Sequence, residues 1–69
     1  MSFVKVESYC DGKLSTMWLN AALIVGFRAS DIQCTTQDAP MTHTEITGVD
    51  IIINMSPEQF AKLLNENCR

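Results

Sequence analysis

Ile51-Ile52-Ile53-Asn54-Met55-Ser56-Pro57-Glu58-Gln59-Phe60-Ala61-Lys62-Leu63-Leu64 is the stretch whose reading decides the fold. Branching at Cβ stiffens χ1, so three successive isoleucines suit a packed, pleated surface and predict a buried strand that stops near Met55. A helix start follows at once. Ser56 can accept from a backbone N–H two or three residues on, Pro57 suits the first helical position, and Gln59 can reach back to close a capping box. Phe60, Leu63 and Leu64 then recur at i, i+3 and i+4 and make one apolar stripe, while Glu58, Lys62 and Glu66 stay in water. Such a stripe needs a sheet to cover.

Upstream of this stretch, Gly48-Val49 turns the chain into a strand over residues 50–55. Residues 42–47 alternate Thr42, Thr44 and Ile46 against His43, Glu45 and Thr47, which predicts an exposed strand. No lysine or proline inside it discourages pairing, so its edge is a candidate for contact with another chain. Residues 29–41 are polar and read as the longest loop, with a short strand over 32–35 as the alternative; Pro40 disfavours the helical region at Ala39. Residues 23–28 read as a third strand, with Leu23, Val25 and Phe27 on one face and Gly26 marking a bulge or a close crossing. Leu19-Asn20-Ala21-Ala22 breaks the β pattern with a short turn. At the other end, residues 65–69 read as a fraying tail.

The first twenty residues predict a hairpin. Residues 3–9 alternate, and Asp11-Gly12 favours a two-residue turn with positive φ at both positions. If Cys10 pairs with Lys13, Val6 faces Met17 and Val4 faces Leu19 on one side. Tyr9 then faces Leu14 and Lys5 faces Trp18 on the other, so turn chemistry and side-chain pattern agree.

Sixty-nine residues make one domain, residues 1–69, near the lower size at which a core stabilises a chain unaided. A hydrophobic fraction of 46% with 19% charged residues is globular composition and argues against a disordered chain. The net charge of −3 and the scattered positions of Lys5, Lys13, Arg28, Lys62 and Arg69 disfavour binding to nucleic acid. No apolar run is long enough to cross a bilayer, and Met1-Ser2-Phe3-Val4-Lys5 lacks a secretory apolar region, so the expectation is a cytoplasmic protein. Cys10, Cys34 and Cys68 are an odd number with long, unequal spacing, from which no disulfide framework or zinc pattern follows.

The order strand, Asp11-Gly12-Lys13 turn, strand ending Trp18-Leu19-Asn20, Ile24, polar loop, Thr44-Glu45-Ile46, turn, isoleucine-rich strand and Ser56-Pro57-Glu58-Gln59-Phe60 resembles small bacterial β-rich proteins of the flagellar FlbD type. The resemblance covers most of the chain and implies no catalytic residue. The sequence departs from that pattern in its longer, cysteine-containing segment 29–41 and in the missing basic residues before the helix.

The expected fold is therefore α+β, a mostly antiparallel meander of about four or five strands with one C-terminal helix packed on the sheet. His43, Cys34 and Cys10 are the residue types of a metal or nucleophile site, but no second histidine or ligand-spaced carboxylate completes one. No enzyme activity, cofactor, metal or small-molecule substrate is expected. Trp18 has two readings: core under the helix, which is preferred, or part of an aromatic patch with Phe3, Tyr9 and Leu14 used for self-association. One helix covers only part of one face, so the expected role is a non-catalytic interaction or structural module that forms a homodimer, with Phe3, Tyr9, Leu14, Trp18, Thr42 and Thr44 as interface candidates. The alternative is a small prophage-type or regulatory inhibitor that binds one host protein through an exposed strand or its acidic surface.

Overall fold

The computed structural model describes residues 2–67. Strands β1 (Phe3–Cys10) and β2 (Lys13–Asn20) meet at Asp11 and Gly12, whose φ angles of 50° and 79° are those of the expected two-residue turn. The register is the predicted one along its whole length, with Val4 opposite Leu19, Val6 opposite Met17, Lys5 opposite Trp18 and Tyr9 opposite Leu14. One turn of 3₁₀ helix (Ala21–Leu23) follows, capped by the Asn20 side chain, which accepts from the Ala22 N–H at 3.0 Å. Then come β3 (Ile24–Gln33), β4 (Pro40–Ile46), β5 (Val49–Ile53) and helix α1 (Pro57–Asn67).

All strand pairs are antiparallel and form one sheet in the order β2-β1-β5-β4-β3. This order puts β2 and β3 at opposite edges, yet only Ala21–Leu23 join them. Strands lie ~4.8 Å apart, so a flat sheet of this order would hold its edges about 19 Å apart, against a rise of ~6 Å for one 3₁₀ turn. The sheet must therefore coil until its two edges approach at that corner. Backbone bonds pin the corner from both sides: Ala21 N donates to Ser2 O at 2.9 Å and Thr47 N donates to Leu23 O at 3.4 Å.

Coiling gives the sheet a concave face, and that face is the core. Val4, Val6, Leu19 and Ile53 are buried there with Phe60 of α1, and Met17, Ile51, Leu63 and Leu64 pack around them. The helix thus covers the concave face, not the face that bears Trp18, and the expectation that Trp18 is core is overturned. Helix packing follows the curvature of the sheet, which no local pattern encodes.

The helix starts where its chemistry predicts. Ser56 Oγ accepts from Gln59 N at 3.2 Å and Ser56 O accepts from Phe60 N at 2.9 Å. The reciprocal half of the capping box is not formed; Gln59 Oε1 instead accepts from Gln37 Nε2 at 2.6 Å and ties the β3–β4 loop to the helix. The expected fraying tail is helical through Asn67, whose Nδ2 donates to Leu63 O at 2.8 Å. Cys68 and Arg69 lie outside the described residues.

Three further expectations are corrected. The loop expected over 29–41 shrinks to residues 34–39, because β3 runs on to Gln33 across a register shift between Ala29 and Gln33. Ser30 Oγ, which accepts from Ile32 N at 3.2 Å and donates to Ile32 O at 3.3 Å, shapes the chain inside that irregular stretch. Second, a register shift between Ile24 and Gly26 breaks the expected face of Leu23, Val25 and Phe27: Ile24 faces Ile46 and Phe27 faces Thr44. Third, β4 is no edge. It pairs with β3 on one side and β5 on the other, and Thr42 and Thr44 are fully buried.

Candidate functional site

Register alone gathers four of the six interface candidates. Phe3, Lys5, Glu7 and Tyr9 of β1 and Leu14, Thr16, Trp18 and Asn20 of β2 project from the convex face, because cross-strand partners share a side and Val4, Val6 and Leu19 take the other. Phe3 is 54% exposed and Trp18 60%, while Leu14 is exposed and Tyr9 half-buried. Lys5 Nζ lies 5.7 Å from the centroid of the Trp18 ring and holds the indole by a cation–π contact. The pairings carry the surface across every strand: Leu14, Tyr9, Ile52, His43 and Arg28 stand side by side in one row. This row is apolar at the β2 end and cationic or titratable at the β3 end.

Thr42 and Thr44 are not part of this surface. Their side chains point into the core, where Thr42 Oγ1 donates to Met55 O at 2.7 Å and Thr44 Oγ1 has no hydrogen-bond partner among the described residues. Threonine fits strands on either face, so alternation found the strand and could not say which side was wet.

A second apolar cluster was not legible in advance. Leu23, Val25 and Val49 are exposed around the 3₁₀ corner and the β4–β5 turn, with Val25 at 68%. The bulge at Val25, which Gly26 did signal, turns that side chain out of the expected alternation.

His43 Nε2 lies 3.6 Å from Asp50 Oδ1, and neither Cys10 nor Cys34 belongs to this pair. Cys10 is an exposed free thiol beside the hairpin turn, with its sulfur 3.8 Å from Asp11 Oδ2. Cys34 is a buried free thiol, and burial pushes its pKa up. Among the described residues no group of three or more His, Cys, Asp or Glu side chains could hold a metal ion, and no helix is long and apolar enough to cross a membrane. An open groove of about 660 Å³ lies beside the turn, with Cys10, Met17, Ile32 and Ile51 in its wall. It offers apolar contact, one thiol and the carboxylates of Asp11 and Asp50, and no histidine lines it. Compared with family models, curated proteins and solved structures, the chain matches none.

Proposed function

We propose that this chain is a non-catalytic interaction module that self-associates as a homodimer through its β1–β2 hairpin. The observation that carries the reading is the exposure of Trp18 and Phe3 on one regular two-stranded surface, in a chain whose core is already closed by the sheet and α1. Burying one such side chain fully is worth about 1.5–3 kcal/mol, and Trp and Tyr are the residues that dominate interface energies. A two-fold dimer sets the patch beside its own copy. The free thiols of Cys10 and Cys34 fit a cytoplasmic setting. The resemblance to FlbD-type bacterial proteins supports a role without chemistry.

Sedimentation velocity at micromolar concentration tests the reading. The expected result is a dimer that Trp18→Lys converts to a monomer of unchanged far-UV dichroism. A monomer at every concentration would sink it. A second reading, a small prophage-type or regulatory inhibitor of one host protein, is favoured by the open edge of β2, which offers a foreign strand the same unpaired backbone as it offers a second copy.

A further inference from the structure

We infer that two copies join edge to edge through β2, antiparallel about a two-fold axis at Thr16, so that their sheets continue into one. The inference rests on the self-association proposed above and gives it a geometry.

The two sheet edges are unequal. β3 is blunted by two register shifts, one at Val25 and one between Ala29 and Gln33, and carries Arg28 and Asp31. Irregularity and charge of this kind keep an edge from pairing. β2 has neither device: it is eight residues long, pairs with β1 without a shift, and has Lys13 as its one charge. Residues 13–16 and Trp18 are all exposed. A β2–β3 contact between copies would meet the blunted edge and could repeat without end, whereas β2 against β2 closes on itself.

Hydrogen-bond phase says which groups wait at that edge. In an antiparallel ladder, pairs that exchange both backbone bonds alternate with pairs that exchange none. The Asp11-Gly12 turn makes Cys10 and Lys13 a bonded pair, and the bond from Ala21 N to Ser2 O, in the same phase, confirms the alternation at the far end. So does Glu7, whose carbonyl turns away from β2 and accepts from Asn54 N at 2.9 Å. Ser15 and Met17 therefore bond to β1, and the N–H and C=O groups of Leu14, Thr16 and Trp18 face outward. Among the described residues no strand pairs with them.

Those three residues are self-complementary. With Thr16 opposite Thr16 of the second copy, Leu14 falls opposite Trp18 and Trp18 opposite Leu14, on the convex face and in the bonded phase. Both exposed apolar residues of the strand gain an apolar partner. Moving the axis to Ser15 sets Trp18 against Gly12, and moving it to Met17 sets Trp18 against Thr16. Neither joins Trp18 to an apolar side chain. In the Thr16 register Lys13 meets Leu19 of the second copy, so no like charges oppose.

Amide hydrogen exchange on the full chain, followed by NMR at a dilute and at a dimer-forming concentration fixed by sedimentation, tests the register. The N–H groups of Leu14, Thr16 and Trp18 should slow together by about ten-fold or more in the dimer, since their exchange then requires the new ladder to open. Those of Ser15 and Met17 are already bonded within one copy and should change far less. Thr16→Pro gives an independent readout: it removes an N–H that β1 does not use, so the fold should persist while the dimer is lost. A dimer that survives Thr16→Pro, or that leaves the three amides unchanged, overturns the edge geometry and leaves self-association standing. A chain that never dimerises overturns both.

Discussion

Asn54 and Thr35 hold each other by two hydrogen bonds that run in opposite directions. Thr35 N donates to Asn54 Oδ1 at 3.0 Å, and Asn54 Nδ2 donates to Thr35 Oγ1 at 2.8 Å. Asn54 is buried at the junction between β5 and α1, so this exchange fastens the loop over residues 34–39 to the point where the sheet gives way to the helix. The same loop is closed by Cys34 N donating to Ala39 O at 2.8 Å and is tied to α1 by Gln37 and Gln59.

Asn54→Ala removes both bonds to Thr35 and empties part of the site. Losing both bonds of a buried side chain costs about 1–3 kcal/mol, so the unfolding free energy from urea titration should fall by an amount in that range. Thr35→Ala keeps the backbone bond and removes only the acceptor of Asn54 Nδ2, so one bond of the two is lost and the fall should be smaller. Equal losses in urea titrations would show that the backbone half of the exchange contributes nothing.

Ser56→Ala removes the acceptor for Gln59 N and should lower stability by ~1 kcal/mol. Pro57→Ala should cost less, because proline only pre-sets a φ that alanine also adopts. Gln59→Ala should leave the cap intact, since the Gln59 side chain bonds to Gln37 and not to the Ser56 backbone. Thermal melts of the three variants rank them.

The parts of the fold written in adjacent residues could be read in advance. The Asp11-Gly12 turn fixed the register of β1 and β2, and Ser56-Pro57 fixed the start of α1, because both depend on backbone groups within a few positions. Gly48, with φ of 76°, marked its turn for the same reason. What could not be read depends on the curvature of the sheet. The second half of β3 hides behind Ser30, Asp31 and Gln33, polar residues that an edge strand tolerates and a loop also prefers. Thr42 and Thr44 show strand alternation without showing which side is dry. The register gathered Phe3, Tyr9, Leu14 and Trp18 into one surface, but which face α1 would take, and so whether Trp18 is wet, follows from the three-residue link between the sheet edges.

Cys34 and Cys10 should differ sharply toward a thiol reagent. Only the thiolate reacts, and burial raises the Cys34 pKa while also hiding the sulfur. A native-state titration with an aromatic disulfide should modify Cys10 promptly and Cys34 only after unfolding. The sign of the linked pH effect follows: a thiol whose folded pKa lies above its unfolded value is neutral in both states below that unfolded value, so its burial is fully stabilising there. Stability should fall as pH rises from the unfolded thiol pKa through the folded one, and Cys34→Ala should abolish that part of the alkaline loss.

Thr42 and Thr44 lie two residues apart on β4, both fully buried, and differ in one respect: the Thr42 hydroxyl donates to Met55 O at 2.7 Å, whereas the Thr44 hydroxyl has no partner among the described residues. Valine replaces the hydroxyl by a methyl of similar size and keeps the β-branched shape that a strand favours. At position 44 the change removes a buried polar group whose desolvation is uncompensated and sets an apolar surface near the Phe27 and Phe60 rings, whose centroids are 4.9 Å apart at 86°. A buried unpaired hydroxyl costs roughly 1–3 kcal/mol, so Thr44→Val should raise stability by about 1 kcal/mol or more. At position 42 the same change leaves the Met55 carbonyl without its donor, and stability should drop by a similar amount. The two variants, measured side by side by denaturant unfolding, should therefore move the midpoint in opposite directions; a loss at both positions would mean that the Thr44 hydroxyl is satisfied in solution by a bound water.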